Sequence, residues 1–160
     1  MKEYYNGKNF WDKEKSWRNQ YPINEEIIRK AEAQLDLSFP ETFKQLMKDH
    51  NGGELTYPYF IMPDRSGKYQ LDIDPIHFED DDTSIISYGN LLEEAKLPGN
   101  LIVLWSDYHH WLVMDYRFTK ENPSIQCIQE DYSTEEMSWK YIKMADTFDD
   151  FIKQLFRIVG

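Results

Sequence analysis

The sequence predicts an α+β domain: two helices near the start, a mainly antiparallel sheet through the middle, and one closing helix packed on it. Three observations carry this. Apolar residues recur every three or four positions between residues 24 and 49. From residue 57 the period shortens to two, in aromatic and β-branched runs separated by turn residues. Helical spacing then returns near the C-terminus. Helices, then a run of strands, then a helix is the order of α+β architecture. The chain has 160 residues, with no internal repeat and no Gly/Ser-rich or Pro-rich linker. One domain spanning 1–160 is therefore expected, with residues 1–23 as an N-terminal extension.

Taken in order, residues 8–19 read as a short helix turning Phe10, Trp11 and Trp17 inward, broken at Tyr21-Pro22 because proline disfavours helix in the residue before it. Asn24 is a good N-cap, and Glu25 and Glu26 suit the positive end of the helix dipole. Ile27, Ile28, Ala31 and Leu35 follow on one face, which predicts an amphipathic helix over 24–35. Phe39-Pro40 opens a second helix, with Pro40 suited to its first position and Phe43, Leu46 and Met47 on one face. His50-Asn51-Gly52-Gly53 closes it, since Asn and Gly accept the left-handed conformation of a C-cap. Strands are predicted over 57–62, 69–73, 101–105, 111–116 and 124–129, with a turn at 64–67 and a short helix at 87–96. Phe148, Phe151, Ile152 and Leu155 mark the last helix, with Asp146 or Thr147 as its cap. The helix-spaced apolar residues, Leu46 among them, are expected to share one core.

Apolar residues at 41% and aromatics at 16% exclude intrinsic disorder. Against 18 basic residues stand 29 acidic ones, a net charge of −11. Nucleic acid and anionic membrane surfaces are disfavoured partners, and a basic protein is the favoured one. The longest apolar run, Leu101–Trp105, is far short of the ~20 residues a membrane helix needs. The N-terminal segment lacks the apolar stretch of a signal peptide. One cysteine, Cys127, excludes an internal disulfide and a multi-cysteine zinc site, and a reducing cytoplasm is the expected location.

The charge is unevenly placed. Residues 1–50 hold nine basic and nine acidic groups, whereas 51–115 hold three and twelve. Within the middle stretch lie Asp72, Asp74, Glu79, Asp80, Asp81 and Asp82. Two readings stand: a solvated loop, or a docking patch for a cationic surface. Tyr57, Tyr59, Tyr69 and Tyr88 flank the region, either as interface anchors or as core.

Catalytic constellations are weak. Asp107, His109 and His110 resemble a cluster, but adjacent strand residues face opposite ways, so only one histidine can join Asp107. A polar hairpin tip between buried Trp105 and Trp111 is the simpler reading. His50 at a helix end suits the dipole. Gly52-Gly53 lacks the spacing and lysine of a phosphate loop. Cys127 shares a strand face with Ile125 and has no basic neighbour in sequence to activate it. Around Asp72–Asp82 the glycine of a calcium loop is missing and Pro75 interrupts. No catalytic, metal or cofactor site is expected.

The order of motifs resembles the SUKH superfamily: the helix ending Ala33-Gln34-Leu35, then Phe39-Pro40-Glu41-Thr42-Phe43, then Leu46 to His50-Asn51-Gly52-Gly53. Trp111–Arg117 looks like that family's sheet motif, and Ala145-Asp146-Thr147-Phe148-Asp149-Asp150-Phe151-Ile152 like its closing helix. One departure is the turn before the central strand, where the family has Gly-Asp-Gly and this chain has Ser106-Asp107-Tyr108-His109-His110. The resemblance spans about residues 24–156. It implies a non-enzymatic cytoplasmic protein that, like bacterial relatives, neutralises a toxin domain, often a nuclease. An alternative is a regulatory scaffold binding a cellular protein, as in yeast cell-wall assembly.

Overall fold

The structure, a computed structural model, describes residues 1–16 and 21–160. Its elements in order are β1 (Lys2–Tyr4), α1 (Glu25–Leu35), α2 (Glu41–Asp49), β2 (Gly53–Ile61), β3 (Lys68–Ile73), α3 (Gly89–Glu94), β4 (Leu101–Ser106), β5 (His110–Asp115), β6 (Ser124–Asp131), β7 (Ser138–Ala145), α4 (Phe148–Ile152) and β8 (Phe156–Ile158). The α+β class holds and every strand pairing is antiparallel. The strands form two four-stranded sheets, in the orders β1-β8-β2-β3 and β4-β5-β6-β7.

Asn24 caps α1 by accepting the Ile27 N–H at 2.8 Å. The helix ends at Asp36, which takes φ 56° while its own N–H bonds back to the last turn. Pro40 stands one place outside α2, as its N-cap residue with ψ 142°, rather than at the first helical position. At the other end Asn51 does not adopt the left-handed conformation; Gly52 (φ 83°) and Gly53 (φ 134°) turn the chain instead. A Cβ on Gly52 would lie 2.7 Å from the Ile73 carbonyl oxygen and from the Pro75 nitrogen, so the turn is wedged against the end of β3.

Residues 8–16 form no helix. Trp11 makes a bridge to Leu55, the Thr56 N–H donates to Phe10 O, and the Trp11 indole donates to Leu46 O at 2.8 Å. Phe10 and Trp11 are buried, as expected, but by pairing alongside β2. Trp17 lies outside the described residues. The last helix is also shorter than its pattern: α4 stops at Ile152, and Leu155, though buried, sits in the turn into β8. Thr147 is the cap, accepting the Asp150 N–H at 3.0 Å. β7 and the two short strands β1 and β8 go unannounced by the sequence.

Ile28, Ala31, Phe43, Phe148, Phe151, Ile152 and Leu155 enter one core with the inner faces of both sheets, and Ile27, Leu35 and Leu46 pack at its margin. Burial of each large side chain contributes about 1.5–3 kcal/mol. The second sheet is covered on both faces. Ile102, Leu112, Met114, Ile125 and Cys127 face this core, while Leu101, Val103, Trp111, Val113 and Ile128 pack under α3 with Leu92 and Leu97. Two-sided burial explains the uninterrupted apolar runs of β4 and β5.

Candidate functional site

The acidic stretch leaves β3 at Ile73 and runs as a folded loop to α3. Its base is held by Asn51, 2% exposed. The Asn51 amide accepts the Ile76 N–H at 2.8 Å and donates to Ile76 O at 2.9 Å and Tyr21 O at 3.1 Å. Two segments distant in sequence, around residues 21 and 76, thus meet on one buried side chain.

The loop's tip closes on itself. His77, 5% exposed, accepts the Glu79 N–H on Nδ1 at 3.0 Å. That acceptance leaves the ring proton on Nε2, which donates to Thr83 Oγ1 at 2.7 Å. Thr83 Oγ1 in turn donates to Asp81 Oδ1 at 2.6 Å, and the Tyr21 hydroxyl donates to Asp81 Oδ2 at 2.5 Å. These hydrogen bonds, Thr83 first and Tyr21 second, lower the Asp81 carboxyl from 3.8 to about 2. Buried Ser84 accepts the His77 N–H at 3.1 Å and tightens the turn further.

Asp81 is therefore a structural member of the loop, whereas Glu79, Asp80 and Asp82 are exposed and form no salt bridge among the described residues. Asp82 holds φ 57°, which turns the chain at the tip. Behind the loop, Glu54, Asp72 and Asp74 crowd a hollow of about 370 Å³ whose lining also includes Lys15 and Tyr21. Burial, with Asp74 and Glu54 as added negative neighbours, raises the Asp72 carboxyl above the usual range. Burial raises Asp74 likewise, against the opposing effect of the Tyr88 hydroxyl that donates to it at 2.6 Å.

Asp72 and Asp74 line one hollow with Tyr21 and Thr83, the two residues that hold Asp81, and the aromatic neighbours there are other than those the sequence suggests. Tyr57 is buried, between Tyr5 and the Arg157 guanidinium. Tyr59 packs on Phe156 under Lys68, and Tyr69 on Trp105 and Phe60, toward the far end of the β2–β3 pair. The rings at the acidic face are Tyr21, Tyr88 and Phe78, the last beneath the Lys30 ammonium. Of these, Tyr88 lay within reach of a sequence reading. Tyr21 is remote in sequence, and His77 carries no motif.

At the β4–β5 turn the two histidines part. His110 Nδ1 meets Asp107 at 3.2 Å, with Asp64 at 3.7 Å from its Nε2, while His109 bonds Glu130 at 3.0 Å. Asp107 Oδ1 accepts the His109 and His110 backbone N–H groups, so it builds the turn. Trp111 is buried, but Trp105 is only half-buried. Tyr108 takes φ 71° in this turn. Cys127 is buried, its Sγ 3.5 Å from Met62 Sδ, and burial pushes the thiol up to about 12. Among the described residues, no His, Cys, Asp and Glu group of three or more is arranged for a metal ion, and no helix is long and apolar enough to cross a membrane.

A two-sheet α+β domain with a hydrogen-bonded acidic loop beside the end of its second helix defines the class. Residues 22–154 match the SMI1 / KNR4 family (SUKH-1), and the chain belongs to that family. Neither the comparison with curated proteins nor that with solved structures yields a match.

Proposed function

We propose that this protein is a non-enzymatic binding module whose acidic face docks a basic protein, and that the partner is a toxin domain it neutralises, as immunity proteins of the superfamily do. The observation that carries the reading is the loop itself. Glu79, Asp80 and Asp82 stand exposed, with no salt-bridge partner among the described residues, on a backbone fixed by Asn51, His77, Thr83 and Tyr21. Like charges held together on a pre-ordered loop repel one another until a cationic surface arrives, and ordering them beforehand removes an entropic cost of binding. A nuclease, whose own surface binds phosphates, offers such a surface.

The test has two stages. Tagged protein is used to capture its partner from native cells, and the partner is then purified and its association measured at two salt concentrations. Replacing Asp72, Glu79 and Asp80 together with Asn, Gln and Asn should slow association several-fold and flatten its salt dependence. Asp81 is spared because its carboxylate holds the loop. An association rate and salt slope equal to the parent's would mean that the acidic face is only solvated. Retention of a cell-wall regulatory protein with no toxin activity would favour the scaffold reading instead.

A further inference from the structure

Beside the acidic loop, the outer face of the second sheet carries a groove interrupted by one side chain. Two hollows, of about 370 and 420 Å³, are both lined by Leu91, Tyr108 and Trp111. The first adds Asp82 and Tyr88, and the second adds Glu94, Lys96 and Trp139. The walls are fixed: Tyr88 donates to Asp74, and the Trp139 indole donates to Ala95 O at 2.9 Å.

The floor holds an anomaly. Trp111 is 1% exposed, and its indole N–H has no acceptor among the described residues. Buried donors are almost always paired, so an unpaired one on the floor of a groove marks where an acceptor can arrive from outside. Tyr108 stands edge-on to Trp111, ring centroids 6.1 Å apart and planes at 88°, yet it is itself 64% exposed. Its φ of 71° is a conformation bulky residues avoid. Tyr108 is thus a poorly anchored cover over a buried donor.

Asp82 and Glu94 have no cation partner among the described residues, and they flank aromatic walls. Carboxylates beside aromatic faces suit a guanidinium, which stacks on rings and bonds carboxylates through a planar fork. The same carboxylates repel phosphate and other anions, and Lys96 is the single cation among the lining residues named for the two hollows. We infer that the groove seats an arginine-bearing segment of the protein partner, its guanidinium at Asp82 or Glu94 and a backbone carbonyl accepting from Trp111 Nε1 once Tyr108 moves aside. The inference rests on the reading of the protein as a protein-binding module and adds the chemistry of the bound segment.

The indole N–H resonance of Trp111, assigned with Trp111→Phe, reports the event in the intact protein. Acetyl-Gly-Arg-Gly-amide, titrated to millimolar concentration, should shift that resonance downfield and saturably, and acetyl-Gly-Gln-Gly-amide should not. Asp82→Asn with Glu94→Gln should weaken the arginine peptide about fivefold, the size expected for two partly exposed charges. Tyr108→Gly, which relieves the backbone and removes the cover, should tighten it several-fold. A Trp111 resonance that stays still in both the parent and Tyr108→Gly, with well-dispersed spectra of folded protein, overturns the inference. If it stays still while replacement of Asp72, Glu79 and Asp80 still slows the captured partner, the groove fails and the docking loop stands. If it responds while those replacements leave the partner's association unchanged, the groove stands and the docking loop fails.

Discussion

The His77 ring lies flat against the Tyr21 ring, centroids 3.8 Å apart and planes 16° apart. Both side chains lead to Asp81, Tyr21 directly and His77 through the Thr83 hydroxyl. The segment entering α1 and the acidic loop are therefore one unit, joined by a stacked pair whose polar edges share a carboxylate.

Removing the Tyr21 hydroxyl tests that unit. Tyr21→Phe keeps the stack and loses one of the hydrogen bonds that hold Asp81 near 2. The Asp81 carboxyl should rise toward its ordinary 3.8, read from its side-chain chemical shift against pH. The sign follows from linkage. A carboxyl lowered by folding stabilises the native state above the unfolded value, and that contribution is lost as pH falls through about 2. In Tyr21→Phe the contribution should be smaller and its loss complete at higher pH.

Asn51→Ala should be severe. It strips the buried Ile76 N–H and O, and the Tyr21 O, of their shared partner. Leaving such groups unpaired costs about 1–3 kcal/mol each, so a fall of about 2–4 kcal/mol in unfolding free energy is expected after relaxation. Chemical denaturation measures it, and a change under about 0.5 kcal/mol would contradict the staple.

Gly52→Ala should destabilise by at least about 2 kcal/mol, combining a left-handed backbone with overpacking against β3. Gly67→Ala is the control. It also has positive φ, at 149°, but nothing within 4 Å of the added methyl, so it should cost less in the same denaturation assay.

Cys127 should react with an alkylating reagent only through unfolding. It is 1% exposed, and its thiol stands near 12, so both access and thiolate are lacking at neutral pH. The labelling rate should rise with denaturant in parallel with the unfolded population. Fast labelling in the native state would contradict this burial.

What the sequence made legible was what depends on neighbours in the chain. The cap at Asn24, the apolar face of α1 and the buried runs of β4 and β5 are local patterns, and the structure keeps them. Residues 8–16 failed because Phe10 and Trp11 are claimed by β2, which outweighs a weak helical pattern. β7 alternates Ser138, Trp139, Lys140 and Tyr141, but its register slips against β6 near Ala145, which blurs the period. At the acidic face the carboxylates were legible from composition alone. Their clamp was not, because it joins Tyr21, Asn51 and Ile76 across 30 and 25 residues of sequence.

The pairing of β1 with β8 has a consequence for the order in which the molecule is completed. β4 to β7 follow one another in the chain as in their sheet, so that sheet can close while synthesis continues. β1 pairs Lys2 with Ile158 and Tyr4 with Phe156, and it meets β2 only by way of β8. β1 therefore has no strand to pair with until β8 is in place, and a chain cut before Phe156 keeps every strand of the second sheet while the first loses the bridge between β1 and β2.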